Sequence, residues 1–208
     1  MNIMPLRSSA TGAPATRHRQ QRRAHRPEHP LGVLLLVLAL APLAGATPTL
    51  QACVDFGCQS RQSVTLSEAD WQRVQHLFQS ASTPAAERAA IAQAIALLEQ
   101  QVGRVTDTWQ DLARNWQRAG EPGELDCIAE SRNTSHYIAV LEQAGLLRWH
   151  RNRPRVQRGF FINVHWTAVV EQQSDGHQWA VDSWFRDNGQ PAVILPLEQW
   201  YQHKEPTP

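Results

Sequence analysis

Cys127 is the residue of this chain best suited to chemistry, because the other two cysteines, Cys53 and Cys58, lie close enough together to pair. It follows Gly123-Glu-Leu-Asp126 and opens a helix-like run from Ile128 to Ala144. Two strand-like segments come next, one carrying His165 in Asn-Val-His-Trp and the other Asp182 in Trp-Ala-Val-Asp-Ser-Trp. A cysteine attacks an acyl group as its thiolate. The free N–H groups and positive dipole end of a helix N-terminus favour that form. An adjacent imidazole favours it again and later protonates the leaving group. A carboxylate on the far ring nitrogen fixes the orientation and tautomer of the imidazole. Cys127, His165 and Asp182 thus stand as candidate nucleophile, base and orienter. The plainer alternatives are an inert cysteine packed as a small hydrophobe, a satisfied strand histidine and a buried hydrogen-bonding aspartate.

The hairpin arithmetic joins His165 to Asp182. If the two strands pair about a turn centred near residues 173–174, positions summing to 347 face one another, and these two sum to that number. Directly opposed side chains lie ~5 Å apart at Cβ, within reach of an imidazole–carboxylate hydrogen bond. Other histidines fit less well. His136 is nine residues into the Cys127 helix, about 13 Å along its axis. His177 flanks the turn, and His150 falls in an arginine-rich stretch where it is expected to face solvent.

The elements that must position these residues are α+β in class: N-terminal helices, then a nucleophile helix packed on an antiparallel sheet. After the cysteine pair the chain reads as helical for about sixty residues. Ser67-Glu-Ala-Asp70 resembles a capping box ahead of Trp71, Val74, Leu77 and Phe78. Thr83-Pro84 starts a second helix, with Ile91, Ile95, Leu98 and Val102 as its core stripe. A third segment places Trp109, Leu112 and Trp116 on one face and stops at Gly120-Glu-Pro-Gly123. Asp126 caps the fourth helix, which Gly145 ends. Its stripe of Ile128, Ser131, Ser135, Ile138 and Leu141 buries the Cys127 side. Beyond Gly145 the period becomes two: Leu146 to Trp149, Gly159 to Val170 and Trp179 to Phe185 read as strands, with Gln173-Ser-Asp-Gly176 as a turn. A short strand at 192–195 and a turn around 197–201 complete the chain.

Residues 1–46 read as an export signal, or alternatively as an uncleaved membrane anchor. Arg17, Arg19, Arg22, Arg23 and Arg26 precede the apolar run Leu31 to Ala41, and Ala44-Gly45-Ala46 is a small-residue cleavage pattern. A spanning helix needs roughly 20 apolar residues, more than this run offers. The implied location is periplasmic or secreted by the general secretory route, with inner-membrane anchoring as the alternative. Taking the leader's six arginines and one glutamate from 20 basic and 19 acidic residues leaves 14 and 18. The remainder is mildly acidic, which excludes the strongly basic footprint of a nucleic-acid binder. A disulfide-bearing segment at 47–66 and one α+β domain over 67–208 follow, the latter helical over 67–120 with its catalytic-like core at 121–208. In an oxidising compartment Cys53 and Cys58 form a local disulfide, which leaves Cys127 as the odd thiol.

The pattern resembles the transglutaminase-like branch of the papain-type superfamily, in particular bacterial transglutaminase-like cysteine proteinases. The resemblance rests on Asp126-Cys127 opening a helix that runs to Leu141-Glu-Gln-Ala-Gly145. It rests equally on His165-Trp-Thr-Ala-Val-Val, Asp175-Gly176 and Trp179-Ala-Val-Asp182. It spans Gly123 to Leu197 and implies a Cys127–His165–Asp182 triad acting on the amide bonds of a peptide or protein, including cell-envelope material, with no cofactor. Two departures stand out: a short interval between Cys127 and His165, and an acidic residue after the cysteine that arrives only at Glu130. Oxyanion donors are sought in the Cys127 backbone N–H and in the side chains of Gln117 or Asn115.

Arg148, Arg151, Arg153, Arg155 and Arg158 fall within eleven residues. They read as a solvated hairpin or loop, or as a patch for anionic envelope polymers, lipid headgroups or an acidic partner. Three functions compete. The first is an exported cysteine hydrolase or acyltransferase with this triad. The second is a catalytically inactive relative that serves as an envelope binding or assembly module. The third is a zinc site at Cys127, His165 and Asp182, which lacks the close ligand pair common in zinc proteins.

Overall fold

The structure, a computed structural model, describes residues 46–204. The export-signal reading concerns residues that lie outside this range, apart from Ala46. Among the described residues no helix is long and apolar enough to cross a membrane. The architecture is α+β, as the change of period implies.

A hairpin stands where the helical run was expected to begin. Strands β1 (Thr49–Cys53) and β2 (Arg61–Thr65) pair antiparallel, and Cys53 and Cys58 are joined by a disulfide in the connection. Leu50, Ala52 and Val64 turn inward, so the cysteine-bearing segment shares the main core instead of lying outside it. Asn133, in the helix that Cys127 opens, clasps the hairpin: its Oδ1 accepts from Cys53 N at 2.7 Å and its Nδ2 donates to Cys53 O at 3.0 Å.

Helix α1 (Glu68–Gln79) is capped by Ser67, whose Oγ accepts from Asp70 N, and α2 (Pro84–Gly103) by Thr83, which accepts from Ala86 N. Both starts follow the expected caps. The expected third helix does not form. A 3-10 turn at Asp107–Gln110 leads into an irregular segment, and Trp109, Leu112 and Trp116 are 65%, 42% and 58% exposed. Polar residues anchor this stretch from within, since Asp111 and Asn115 are buried and bond the backbone of Leu125.

Helix α3 (Cys127–Gln143) ends as read: Gly145 takes φ +70°, and Leu146 N donates back to Leu141 O at 3.0 Å. The sheet is antiparallel in the order β3 (His150–Arg158), β4 (His165–Gln172), β5 (Gln178–Asp182) and β6 (Val193–Pro196), and the short α4 (Leu197–Tyr201) follows. Three expectations are corrected here. The first sheet strand starts at His150, not Leu146. The arginine-rich stretch is an edge strand, not a loop. Finally, 159–164 is a turn holding a 3-10 segment (Phe161–Asn163), so β4 begins at His165.

His150, expected in solvent, is 1% exposed. Its Nδ1 lies 2.8 Å from Glu87 Oε1, and Glu87 also accepts from the backbone N–H groups of Arg148, Trp149 and His150. Burial pushes the Glu87 carboxyl up, but these hydrogen bonds outweigh it and hold the group below the ordinary range. One buried carboxylate thereby ties 148–150 to the start of α2.

Both faces of β4 and β5 are covered. Ala168, Val170 and Val181 join the large core with α1, α2, the hairpin and Tyr137, Ile138 and Leu141 of α3. Val169 and Ala180, on the alternate face, join a second cluster with Trp184, Phe185, Leu197 and Trp200. Cys127, at the tip of α3, belongs to that second cluster.

Candidate active site

The position of Cys127 is set by the approach to α3. Gly123 takes φ +81°, and a Cβ there would lie 2.1 Å from Asp107 O, so only glycine lets the chain pass the 3-10 turn so closely. Asp126 then caps the helix, its Oδ1 accepting from Ala129 N at 2.8 Å and from Gly57 N at 3.0 Å. This fastens the disulfide connection to the helix start and fixes Cys127 at the first helical position. Its backbone N–H is one of the orphan donors of a helix N-terminus.

His165 opens β4 and Asp182 closes β5. The register differs from the arithmetic: Ala168 pairs with Val181 and Glu171 with Gln178, so paired positions sum to 349, not 347. The cause is the turn, in which Gly176 supplies the positive φ and Gln172 bonds His177 across four intervening residues. A shift of two preserves the face. Asp182 therefore stands opposite Thr167, diagonal to His165, and His165 Nε2 still meets Asp182 Oδ2 at 2.8 Å. Trp200 of α4 donates its Nε1–H to the same oxygen at 2.7 Å. The carboxylate is held from two sides.

The other ring nitrogen, His165 Nδ1, is buried without a hydrogen-bond partner among the described residues. The Cys127 sulfur has its resolved contact with Val164 O at 3.9 Å, one residue before His165. It makes no directed hydrogen bond to Nδ1, yet it lies near enough to act on the ring. Burial pushes His165 down, but the hydrogen bond and charge of Asp182, followed by the influence of Cys127, raise its pKa to about 9.

A 240 Å³ cavity opens onto His165. Arg114, Trp116, Asn163, Trp184 and Phe185 line it. Trp116 packs edge-on against Trp184, with centroids 4.4 Å apart, and Trp184 lies 4.8 Å from the His165 ring. Arg114 N donates to Trp184 O at 3.0 Å, which fastens this wall to the end of β5. Phe160 and Phe161, in the turn before Asn163, are 83% and 98% exposed. Cys127 is only 6% exposed and is not among the residues that line this cavity. A larger hollow of 660 Å³, beside Gln100, Arg104 and Trp109, touches none of the three candidate residues.

Beneath the site lies a buried set of acids. Glu130, one turn after Cys127, accepts from the Ser183 hydroxyl, and Ser183 pairs with Thr134 at 2.8 Å. This ties the nucleophile helix to the residue after Asp182. Burial, then the charge and hydrogen bonding of Glu130, push Asp111 up to about 11, so Asp111 keeps a proton in the fold that the unfolded chain releases near pH 4. Its stabilising effect is complete at acid pH and is lost as pH rises towards 11, at up to about 1.4 kcal/mol per unit. Asp111→Asn should retain the bonds from Leu125 N and Asn115 Nδ2 and remove that slope. Denaturant melts from pH 5 to 10 should show a flatter dependence than the wild type, and an unchanged slope refutes the shared proton.

The remaining sequence candidates scatter. The Asn115 amide is fully engaged with Asp111, Glu124 and Leu125 O, while its oxygen accepts from Trp184 Nε1, so it offers no donor to the cavity. Gln117 is exposed in the 112–118 loop and is not part of the cavity wall. The arginines do not form one patch. Arg148 donates to Phe78 O, Arg151 and Arg153 pair with Glu171, Arg155 reaches Ser131, and Arg158 is buried against Trp200. No group of three His, Cys, Asp or Glu among the described residues is placed to hold a metal ion. Ser183 is the site residue that the sequence did not disclose, and the bond from Trp200 to Asp182 was equally out of reach, since no spacing rule links position 200 to 182.

No family model, no curated protein and no solved structure matches this chain.

Proposed function

We propose that this chain is a cysteine hydrolase or acyltransferase of the transglutaminase-like kind, built on a papain-like core and acting on amide bonds. The observation that carries the reading is the His165 ring. One nitrogen is locked to Asp182 at 2.8 Å, and the other is buried, unpartnered and near the Cys127 thiol. In the reaction the Cys127 thiolate adds to the substrate carbonyl, and the backbone N–H of Cys127 faces the developing oxyanion. His165 Nδ1–H protonates the departing amine, the C–N bond breaks, and a thioester remains. Water or a second amine then attacks that thioester, His165 takes the incoming proton, and the sulfur leaves as thiolate. Water yields a peptidase or amidase, an amine a cross-linker. The substrate is a peptide or protein, including envelope material. The Cys53–Cys58 disulfide and the leader pattern support a periplasmic or secreted location.

One observation favours the inactive binding module, namely the 6% exposure of Cys127 and its absence from the lining of the cavity at His165. Alkylation separates the two readings. Iodoacetamide labelling of Cys127, read by mass spectrometry, should proceed at pH 6 at no less than about a third of its pH 8.5 rate. An unassisted thiol loses about tenfold per pH unit below its pKa. That steeper fall, or no labelling at all, sinks the enzyme reading.

A further inference from the structure

The arginine-rich strand is the feature of the sequence that the reaction leaves unused, and one of its members is aimed differently from its neighbours. Arg153 pairs with Val169 and Val156 with Thr167, so Pro154 and Arg155 together stand opposite Ala168 alone. This is a β-bulge, a device that re-aims a side chain and is enriched beside active sites. Proline fits there because it has no ladder N–H to lose. An unbroken strand would set Arg155 on the face of Arg151 and Arg153, against Glu171. Instead Arg155 Nη1 donates to Ser131 Oγ at 2.8 Å and lies 3.5 Å from Ile128 O, on the first turn of α3. Ser131 is four residues beyond Cys127, on the same helix face, and its hydroxyl donates to Cys127 O at 2.6 Å. Trp166 braces the guanidinium, with Cζ 4.9 Å from the ring, and both Trp166 and Val156 pack against the Cys127 cluster.

A cation at the first turn of a helix faces the positive end of its dipole, an unfavourable place unless negative charge is also present. Burial and the neighbouring Arg132 both work against Arg155, and the charge of Cys127 works for it. The charged groups about the sulfur are His165 from β4, Arg155 from β3, Arg132 and Glu130 along α3, Asp126 at the cap, and Asp182 behind His165. We propose that Arg155 is a positioning residue for the nucleophile: turned onto α3 by the Pro154–Arg155 bulge, its guanidinium stabilises the ionised Cys127 sulfur from β3 as His165 does from β4. The inference rests on Cys127 reacting as thiolate.

The test is the iodoacetamide rate of the full chain between pH 5 and 10 for wild type, Arg155→Gln and Arg155→Lys, with far-UV circular dichroism as the folding check. Removing a nearby opposite charge makes a thiol harder to ionise. Arg155→Gln should therefore move the acid limb of the labelling profile to higher pH by about half a unit or more and leave the rate above pH 9 within about twofold. Arg155→Lys keeps the charge and should stay within about twofold of wild type throughout. A Gln variant that labels like wild type overturns the proposal. So does a Lys variant slowed as far as Gln, because packing and not charge would then set the sulfur. If Gln fails to fold, Arg155→Met, which also removes the charge, takes its place under the same criteria. A wild type that itself behaves as an ordinary thiol strikes the proposed function instead, and Arg155 falls with it.

Discussion

Cys127→Ala and His165→Ala are each expected to lower kcat/KM by about 10⁴-fold or more, and the double variant by no more than the worse single one. Groups that act as one unit are grossly non-additive, since removing either the nucleophile or its base abolishes the same step. The measurement is cleavage of a proteome-derived peptide library, quantified by mass spectrometry, followed by kinetics on the best peptide. Running the reaction with a primary amine present reports whether water or the amine takes the acyl group. His165→Ala also removes a charge neighbour of the sulfur, so iodoacetamide labelling at pH 6 should fall with it. Additive losses in the double variant would mean that the two side chains act separately. The shared-unit reading would then be wrong even if both residues mattered. A fold control is available in the large core, because Cys127 and His165 lie outside the cluster built by α1, α2 and the hairpin.

The parts of the fold that were legible in the sequence are those governed by local chemistry. Ser67, Thr83 and Asp126 each satisfy an orphan N–H at a helix start, and Gly145 supplies the left-handed turn that ends α3. Each of these signals acts within four residues. The site of β6 was equally plain from the two-residue period, but β5, read as running to Phe185, stops at Asp182, where a turn closed by Arg186 N on Ser183 O takes over. What escaped was decided at long range. Trp109, Leu112 and Trp116 have helical spacing, yet Asp111 and Asn115 between them reach Leu125 and Glu124, and those buried bonds override the apolar stripe. His150 looked solvated because its neighbours are arginines, whereas its partner Glu87 sits 63 positions earlier. Glu87 did carry a signal: it occupies the same helical stripe as Ile91, Ile95, Leu98 and Val102, and a charge on a buried face implies a partner. The candidate site shows the same division. The order of Cys127, His165 and Asp182 was readable, and the His–Asp link survives a register error of two because parity alone sets the face. The bulge that turns Arg155 and the indole of Trp200 were not readable, since neither a two-for-one pairing nor a contact across 18 residues leaves a periodic trace.

Asp182→Asn should separate the orienting role of this carboxylate from its charge. An asparagine oxygen can still accept from His165 Nε2 and from Trp200 Nε1, so the ring keeps its tautomer and direction. The negative charge is lost. Asp182 is the chief upward influence on His165, whose pKa of about 9 lies above the ordinary value of 6.5. A raised imidazole pKa means that the protonated ring is favoured by the fold. The stability it contributes is complete below pH 6.5 and disappears as pH climbs through 9. The same window bounds activity if the reactive form pairs a thiolate with an imidazolium. Wild-type activity should therefore hold to about pH 9 before declining, and the Asn variant should begin its decline between about 6.5 and 7.5. At pH 6 the Asn variant should retain activity within about tenfold of wild type. At pH 8.5 it should fall a further tenfold or more, and its urea stability should lose most of the wild-type decline between pH 6.5 and 9. Asp182→Ala, which removes both acceptor and charge, should show the same early decline and cost a further factor of about 10² to 10³ at every pH. If both variants kept the wild-type pH profile, Asp182 would only steer the ring, and the electrostatic half of the mechanism would have to be abandoned.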